Sequence, residues 1–244
     1  MTQAVTTGMK KLLYYEGELL VKMLESEEEL RRAYRLRHRV FAERLKWVQE
    51  TENRLETDVY DSWSTMVGLF SELGQLIGVV RMTHAPVPFM LESEFSTCLV
   101  SSHKVRKALD TAEITRLAVD PDITDRSLST RAMCTIIKGA YQWCLTHDVR
   151  YTYFVVEKRL LRALRLMGWP CRTIGAPITL PPAGAVSVAS LLDLDEFRLE
   201  GARKRPEVLK WFSTTENIPI IPATQMPALK RDLSTNYDLQ WEAV

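Results

Sequence analysis

Charged, hydroxyl and aromatic side chains recur at spacings that place them together. Arg37 and Phe41 are four residues apart, so one helix face would present a cation beside an aromatic ring. Glu113 and Thr115 would share one face of a strand, with Arg116 on the other face. A carboxylate beside a hydroxyl in mid-sheet favours a polar cleft. The alternative for Glu113 and Thr115 is an edge strand that faces water. The alternative for the helix is that Phe41 is a core residue and Arg37 is solvated.

A second group of charges could form ion pairs with these residues. Asp58 and Asp61 lie three apart near the end of a polar stretch, where ordinary turn chemistry is the alternative explanation. Arg81 ends an otherwise apolar strand, and a charge entering a sheet needs a carboxylate partner. Asp58, Asp61 or Glu113 could supply that carboxylate. A purely structural ion pair would have the same sequence pattern.

The elements that must position these residues alternate between helices and strands. A capping box at 26–29 and helical spacing of apolar residues predict a helix over 27–45, followed by a loop over 46–64. Two apolar runs, 66–73 and 76–83, predict a hairpin. The remaining patterns predict strands at 112–120, 151–156, 171–177 and 186–192, and helices at 127–147 and 158–167. This order predicts a mixed α/β fold.

The composition argues against several classes of protein. Lysine and arginine number 32 and the acidic residues 31, so a net charge of +1 gives no global attraction to nucleic acid or to an anionic membrane. The four cysteines lack CxxC spacing and the four histidines are scattered, so we expect neither disulfides nor a metal site. The apolar run at 12–15 is too short for a signal peptide or a membrane span, and we expect a cytoplasmic protein.

The length and the apolar content predict one large domain. With 244 residues and 46% hydrophobic composition, the chain can bury a substantial core, and we place the catalytic domain at 1–200. Residues 201–244 mix charge with Trp211, Trp241 and several prolines and show no long periodic run. We expect them to form an irregular extension packed on the surface of the domain.

The combination of motifs resembles a known family. Leu36-Arg37-x-x-Val40-Phe41, Trp47, Glu56-x-Asp58-x-x-Asp61, Arg81 and Glu113-x-Thr115-Arg116 occur in the order and spacing of the autoinducer (N-acyl-homoserine-lactone) synthase signature. The resemblance covers residues 20–180. It implies an α/β (α+β) fold similar to the Gcn5-related N-acetyltransferases, a GNAT-like acyltransferase fold. Such a fold has a twisted mixed β-sheet flanked by helices, with a V-shaped cleft between central strands.

The same resemblance implies an activity. The enzyme would transfer an acyl group from acyl carrier protein, or from acyl-CoA, to the amine of S-adenosyl-L-methionine. Lactonisation would then release 5′-methylthioadenosine and yield a quorum-sensing signal. S-adenosyl-L-methionine is thus a co-substrate, and no tightly bound cofactor is expected. The residues implied for its pocket are Arg37, Phe41, Trp47, Asp58, Asp61, Arg81 and Arg116. Glu113 is implied as the catalytic base, with Thr115 beside the reacting acyl group.

Later parts of the sequence supply candidate residues for binding the acyl chain and its donor. An acyl pocket would be lined by Met133, Tyr153, Val155, Leu161 and Leu164, each of which is equally ordinary as a core residue. A basic surface for acyl carrier protein would comprise Arg126, Arg131, Lys138, Arg159, Arg162 and Arg165, unless these are only solvated helix faces. The loop at 122–127 lacks a glycine-rich pyrophosphate cradle, which favours carrier protein over free coenzyme A.

Two other functions remain open at this point. The segment 156–165, with Gly168 and Ile174-Gly175-x-Pro177, also resembles the acyltransferases associated with exosortase systems, which would use a different acceptor. A non-catalytic binding module with the GNAT fold is the second alternative. The length, oxidation and branching of the acyl chain do not follow from the sequence, because a methylene changes pocket free energy by only about 1–3 kcal/mol.

Overall fold

The computed structural model describes residues 12–215, which form nine strands and five α-helices. The strands are β1 (Leu13–Glu16), β2 (Leu19–Met23), β3 (Thr65–Phe70), β4 (Leu76–His84), β5 (Thr111–Val119), β6 (Tyr151–Glu157), β7 (Arg172–Thr173), β8 (Ile178–Leu180) and β9 (Ala185–Asp193). The helices are α1 (Glu27–Arg37), α2 (Arg126–Thr146), α3 (Lys158–Leu166), α4 (Leu194–Lys204) and α5 (Pro206–Ser213). Within residues 12–215, every helix is too short or too polar to span a bilayer.

All nine strands belong to one mixed sheet, the kind of sheet that the resemblance implied, and β1 and β2 were not predicted from the sequence. The strand order is β1-β2-β3-β4-β5-β6-β9-β7, with β8 paired to β9. The strands pair antiparallel except β5 and β6, which are parallel. Helix α2 covers one face of the sheet and buries Ile136, Ala140 and Trp143 against it. Helix α1 covers β4 through a separate apolar cluster that includes Leu36 and Val79. The fold is GNAT-like, with helices flanking a mixed sheet.

The parallel strands β5 and β6 separate to form the cleft. Their pairing stops at Glu113 and Tyr153, although β5 continues to Val119 and β6 to Glu157. Beyond that point each strand keeps only its other neighbour, β4 or β9. The space between the diverging halves is the V-shaped cleft that the resemblance implied.

The segment 27–64 is built from short capped pieces. Ser26 and Glu29 form the predicted capping box at the start of α1, and the helix continues as a π-helical turn, His38–Arg44. The predicted loop contains a 3₁₀ helix, Val59–Trp63. Asp58 caps this helix by accepting from the Tyr60 N–H at 3.0 Å. The cap fixes the backbone from which the two aspartates of the motif project.

Two expectations for the second half of the chain were wrong. The strand predicted at 171–177 is interrupted, because β7 ends at Thr173 and the backbone at Gly175 packs against Cys98, so closely that a Cβ there would lie 1.7 Å from the Cys98 carbonyl oxygen. The segment from 201 is not irregular throughout: α4 runs through that position and α5 follows, with Pro206 at its start. Residues 216–244, including Trp241, lie outside the described residues. The division into a domain and an extension stays a prediction.

Candidate active site

A bulge in strand β5 decides which side chains face the cleft. Thr115 pairs with Arg81, and just beyond it two residues of β5 oppose one of β4. Arg116 lies in this bulge with a φ of +53°, a left-handed conformation that is rare outside glycine. Its guanidinium therefore reaches Glu56 and Asp58 on the side of the sheet that Thr115 faces. The expectation that Arg116 points to the opposite face was wrong, because two-residue alternation fails across a bulge.

Arg37, at the end of α1, is fully buried and holds two carboxylates. Its Nε lies 2.5 Å from Glu56 Oε2, and its Nη1 lies 2.6 Å from Asp61 Oδ1. Burial by itself would raise the pKa of Glu56, but Arg37 and then Arg116 outweigh burial and hold that pKa below its usual range. The pKa of Asp61 is lowered in the same way, against the effect of burial. Both carboxyls are therefore ionised at neutral pH.

Arg81 connects Asp61, which Arg37 also contacts, to Asp58 and Thr115. Its side chain is 0% exposed, and its Nη1 lies 2.5 Å from Asp58 and 2.7 Å from Asp61. Its Nε donates to Thr115 Oγ1 at 2.9 Å. Arg116 closes the circuit by donating to Glu56 at 3.0 Å and to Asp58 at 2.9 Å. We call Arg37, Arg81 and Arg116, together with Glu56, Asp58 and Asp61, the charged network.

Two aromatic rings border the charged network. Phe41 and Trp47 stack with centroids 5.8 Å apart and an interplanar angle of 27°. The cation over the Phe41 ring is Arg116, at 5.6 Å, whereas Arg37 lies over Tyr34 at 5.3 Å. The expected pairing of an aromatic with a cation is thus present but involves Arg116, because both acidic partners of Arg37 draw its guanidinium away.

Glu113 is completely buried against a neighbouring turn. One oxygen accepts from the N–H of Met90 at 2.7 Å and the other from Leu91 at 2.8 Å. Burial raises the pKa of Glu113 to about 7, although these two N–H groups, Arg81 and Lys107 act in the opposite direction. Glu113 is not among the residues that line the cleft cavity. Its carboxylate therefore fixes the turn at 90–92.

The cleft between β5 and β6 contains an apolar cavity of about 430 Å³. Its lining includes Trp47 and Thr115 beside the charged network, and Tyr141 and Trp169 beside α4. Thr115 therefore both contacts Arg81 and borders the apolar space. A polar reacting centre and an apolar chain could occupy adjacent parts of this site.

The structure separates the five residues expected to line an acyl pocket. Three of them line the cavity: Met133, Val155 and Leu164. Tyr153 does not, because its side chain packs in the separate apolar cluster that contains Phe89. The Tyr153 ring lies near Phe89, and its hydroxyl accepts from a backbone N–H in the preceding loop. Leu161 belongs to the main core.

The basic side chains expected on one surface divide into two groups. Five are exposed: Arg126, Arg131, Arg159, Arg162 and Arg165. Lys138 is only 2% exposed and pairs with Glu16, so its expected place on the surface was wrong. The inner face of α2 carries it into the protein, where a carboxylate balances its charge. Arg131 pairs with Glu18, and Arg165 donates to the Cys171 carbonyl at 2.9 Å.

Two features of the site were not foreseen from the sequence. The thioether of Met90 lies 2.8 Å from Arg81 Nη2 and 3.5 Å from Arg116 Nη1. Trp169 and Tyr141 reach the cavity from α3's C-terminal loop and from α2. No local signal distinguishes these residues from ordinary core positions, because only the packing of distant segments brings them to the site.

Comparison with known proteins settles the family. The family model described as autoinducer synthase matches residues 22–201. The chain belongs to the autoinducer synthase family. It is similar to an acyl-homoserine-lactone synthase of Aeromonas salmonicida, with 30% identity over 76% of this chain and 89% of the relative. The resemblance drawn from the motifs is thereby confirmed.

Solved structures share the fold of this autoinducer synthase. TofI in a ternary complex with an inhibitor and MTA has a TM-score of 0.65 at 20% identity, covering 80% of this chain and 97% of TofI. BjaI, described as a CoA-dependent acyl-homoserine lactone synthase with SAM and isopentyl-CoA, has a TM-score of 0.60 at 18% identity, covering 76% and 92%. The protein is an acyltransferase that acts in autoinducer synthesis.

Proposed function

We propose that this autoinducer synthase transfers an acyl group from acyl carrier protein to S-adenosyl-L-methionine and then closes a homoserine lactone. The observation that carries the proposal is the position of Thr115, between the charged network and the apolar cavity. An amino-acid acceptor needs the charges and an acyl chain needs the apolar space. The MTA bound to TofI and the SAM bound to BjaI support this choice of acceptor.

The proposed acceptor pocket uses the exposed edge of the charged network. Arg37 and Arg81 are fully buried and paired, so in the proposal they do not contact the acceptor but position the carboxylates of the charged network. Arg116 and Asp58 retain 13% and 19% side-chain exposure and are the proposed contacts for the carboxylate and amine of the acceptor. The stacked rings of Phe41 and Trp47 offer aromatic faces to the sulfonium and the adenine. Asp61 holds both buried arginines in place.

The proposed chemistry has two steps on one acceptor. The amine nitrogen attacks the thioester carbonyl, a C–N bond forms, the C–S bond breaks and the sulfur departs as a thiolate that solvent protonates. The amine proton passes through a water molecule to Glu113, whose pKa of about 7 suits a general base at neutral pH. A carboxylate oxygen of the acceptor then attacks the carbon beside the sulfonium, and 5′-methylthioadenosine leaves. Thr115 is the proposed contact for the acyl carbonyl.

The start of α2 favours carrier protein as the donor. Coenzyme A users of this fold place a pyrophosphate at a helix N-terminus, where free N–H groups attract the anion. Here Asp125 caps α2 by accepting from the N–H groups of Ser127 and Leu128, at 2.8 and 3.3 Å. A carboxylate at this position would repel a pyrophosphate. The exposed Arg159 and Arg162 of α3 offer a complementary surface to an acidic carrier protein.

The proposal is tested by following both leaving groups. Purified protein is mixed with S-adenosyl-L-methionine and one acyl group presented either on carrier protein or on coenzyme A. We expect equal amounts of free thiol and 5′-methylthioadenosine, with higher kcat/KM for the carrier-protein donor. Thiol without methylthioadenosine would favour a simple acyltransferase with another acceptor. Release of neither product would favour a binding module.

A further inference from the structure

Helix α5 lies outside the residues matched by the family model, yet it is packed into the core. The match ends at residue 201, and α5 begins at Pro206. Phe212 is 2% exposed. Its ring makes edge contacts with Trp169 at 4.8 Å, with Phe197 at 5.7 Å and with Tyr141 at 5.8 Å. The helix thus supports an aromatic cluster that belongs to the matched domain.

Specific polar contacts fix α5 in this position. Trp211 Nε1 donates to Glu16 Oε1 at 2.6 Å, and Lys138 Nζ lies 4.7 Å from the Trp211 ring. Gln142 Nε2 donates to the Phe212 carbonyl at 2.5 Å. These contacts join α5 to β1 and α2 and determine where the Phe212 ring lies.

The aromatic cluster forms a wall between two cavities. Tyr141 and Trp169 line the cleft cavity of about 430 Å³. Trp169 and Phe197, stacked with centroids 4.2 Å apart, also line a second cavity of about 250 Å³. The Trp169 N–H has no hydrogen-bond partner among the described residues, which costs free energy.

We propose that α5 sets the maximum acyl-chain length by holding Trp169 in place through Phe212. This inference rests on the proposed function, in which the cleft cavity receives the acyl chain. Phe212 is a positioning residue, because it contacts the wall and not the cavity. Without its ring, Trp169 can tilt into the vacated space and towards the second cavity. The cleft cavity then lengthens, and longer chains fit.

The experiment measures chain-length selectivity in the full-length protein. Acyl-carrier-protein thioesters of increasing length are supplied to wild type, Phe212→Leu and Phe212→Ala, and kcat/KM is determined for each length. We expect the ratio of long-chain to short-chain kcat/KM to rise by about tenfold or more, since one methylene in a pocket changes selectivity by that order. Trp169→Phe, which thins the wall directly, should shift the ratio in the same direction and provides a second test should Phe212→Ala fail to fold.

Phe70→Leu is the matched control, because Phe70 is also buried but belongs to the core cluster around α1. It should lower the melting temperature without changing the ratio. An unchanged ratio in Phe212→Leu and Trp169→Phe would overturn the inference. Calorimetry of acyl-pantetheine binding tests the wall without turnover. As the acyl chain is lengthened, the affinity should stop increasing at a shorter chain in wild type than in Phe212→Leu. Such binding without methylthioadenosine release would refute only the proposed function.

Discussion

The charged network and the apolar cavity meet at Thr115, but they hold their side chains in different ways. In the network each guanidinium contacts at least one carboxylate at 3.0 Å or less, and Arg37 and Arg81 are fully buried. The cavity beside it keeps about 430 Å³ of space between apolar side chains. Paired buried charges allow one geometry, because any displacement leaves a charge unpaired. An apolar cavity accepts chains of several shapes, so its substitutions should change selectivity more than activity.

The carboxylates of the charged network and the neighbouring Glu113 respond differently to pH. The lowered pKa values of Glu56 and Asp61 mean that their contribution to stability is present above their unfolded pKa values and is lost as the pH falls through the folded values. Glu113 has the opposite sign, because its pKa is raised. Its carboxyl favours the folded state below its unfolded pKa, and that contribution is lost as the pH rises towards about 7.

The largest effect is expected from breaking the charged network. Arg81→Met removes one cation and leaves Asp58 and Asp61 without one of their partners, which should cost about 3–5 kcal/mol. We expect the melting temperature to fall by on the order of 10 °C and activity to be lost. Thermal melting and methylthioadenosine release measure the two effects.

Arg39→Met is the control for Arg81→Met. Arg39 also bridges two aspartates, Asp120 at 2.7 Å and Asp122 at 2.6 Å, but its side chain is 35% exposed. Such surface pairs are worth about 0–1 kcal/mol. Equal losses of stability in the two variants would show that the buried pairs of the charged network matter no more for stability than a surface pair.

An intermediate effect is expected at Glu113. Glu113→Gln removes the proton acceptor, so turnover should fall by about 10²–10⁴-fold. In wild type the rate should rise with pH through about 7, where Glu113 loses its proton, and the variant should lack this rise. The measurement is methylthioadenosine release as a function of pH.

Glu92→Gln tests whether the effect at Glu113 arises only from the turn. Glu92 accepts from the N–H of Phe89 at 2.8 Å and so stabilises the same turn, but it pairs with Lys107 outside the cleft. We expect normal turnover with a small loss of stability. A folded Glu113→Gln protein with normal turnover and an unchanged pH profile would refute the proposed base.

The smallest effect is expected at the boundary between the two regions. Thr115→Val keeps the shape of the side chain but leaves Arg81 Nε without its acceptor, at a cost of about 1–3 kcal/mol. We expect turnover to fall by about tenfold with chain-length selectivity unchanged. Thr83→Val, which removes a 2.7 Å hydrogen bond to Ser64, the residue before β3, is the control. A change in chain-length selectivity in Thr115→Val would show that the two regions are not separate.

Much of the fold followed from local patterns. The capping box of Ser26 and Glu29, the hairpin of β3 and β4 and the long amphipathic α2 were predicted because periodicity and capping depend on nearby residues. The bulge at Arg116 and the interruption at Gly175 were not. Both depend on how strands meet distant segments, which a local period cannot report.

The sequence by itself determined the residue types of the site and their family, because the spacing of Arg37, Asp58, Asp61, Arg81 and Glu113 is specific as a set. Only the tertiary structure decided which charge pairs with which. Residues up to 60 positions apart, such as Arg116 and Glu56, form one circuit only after β5 bulges and the 46–64 loop folds over the sheet. The contacts of α5 were likewise decided by packing, since Phe212 meets Tyr141 and Trp169 across long separations in sequence. Pairing energies depend on distance in space, and that distance is set by the fold.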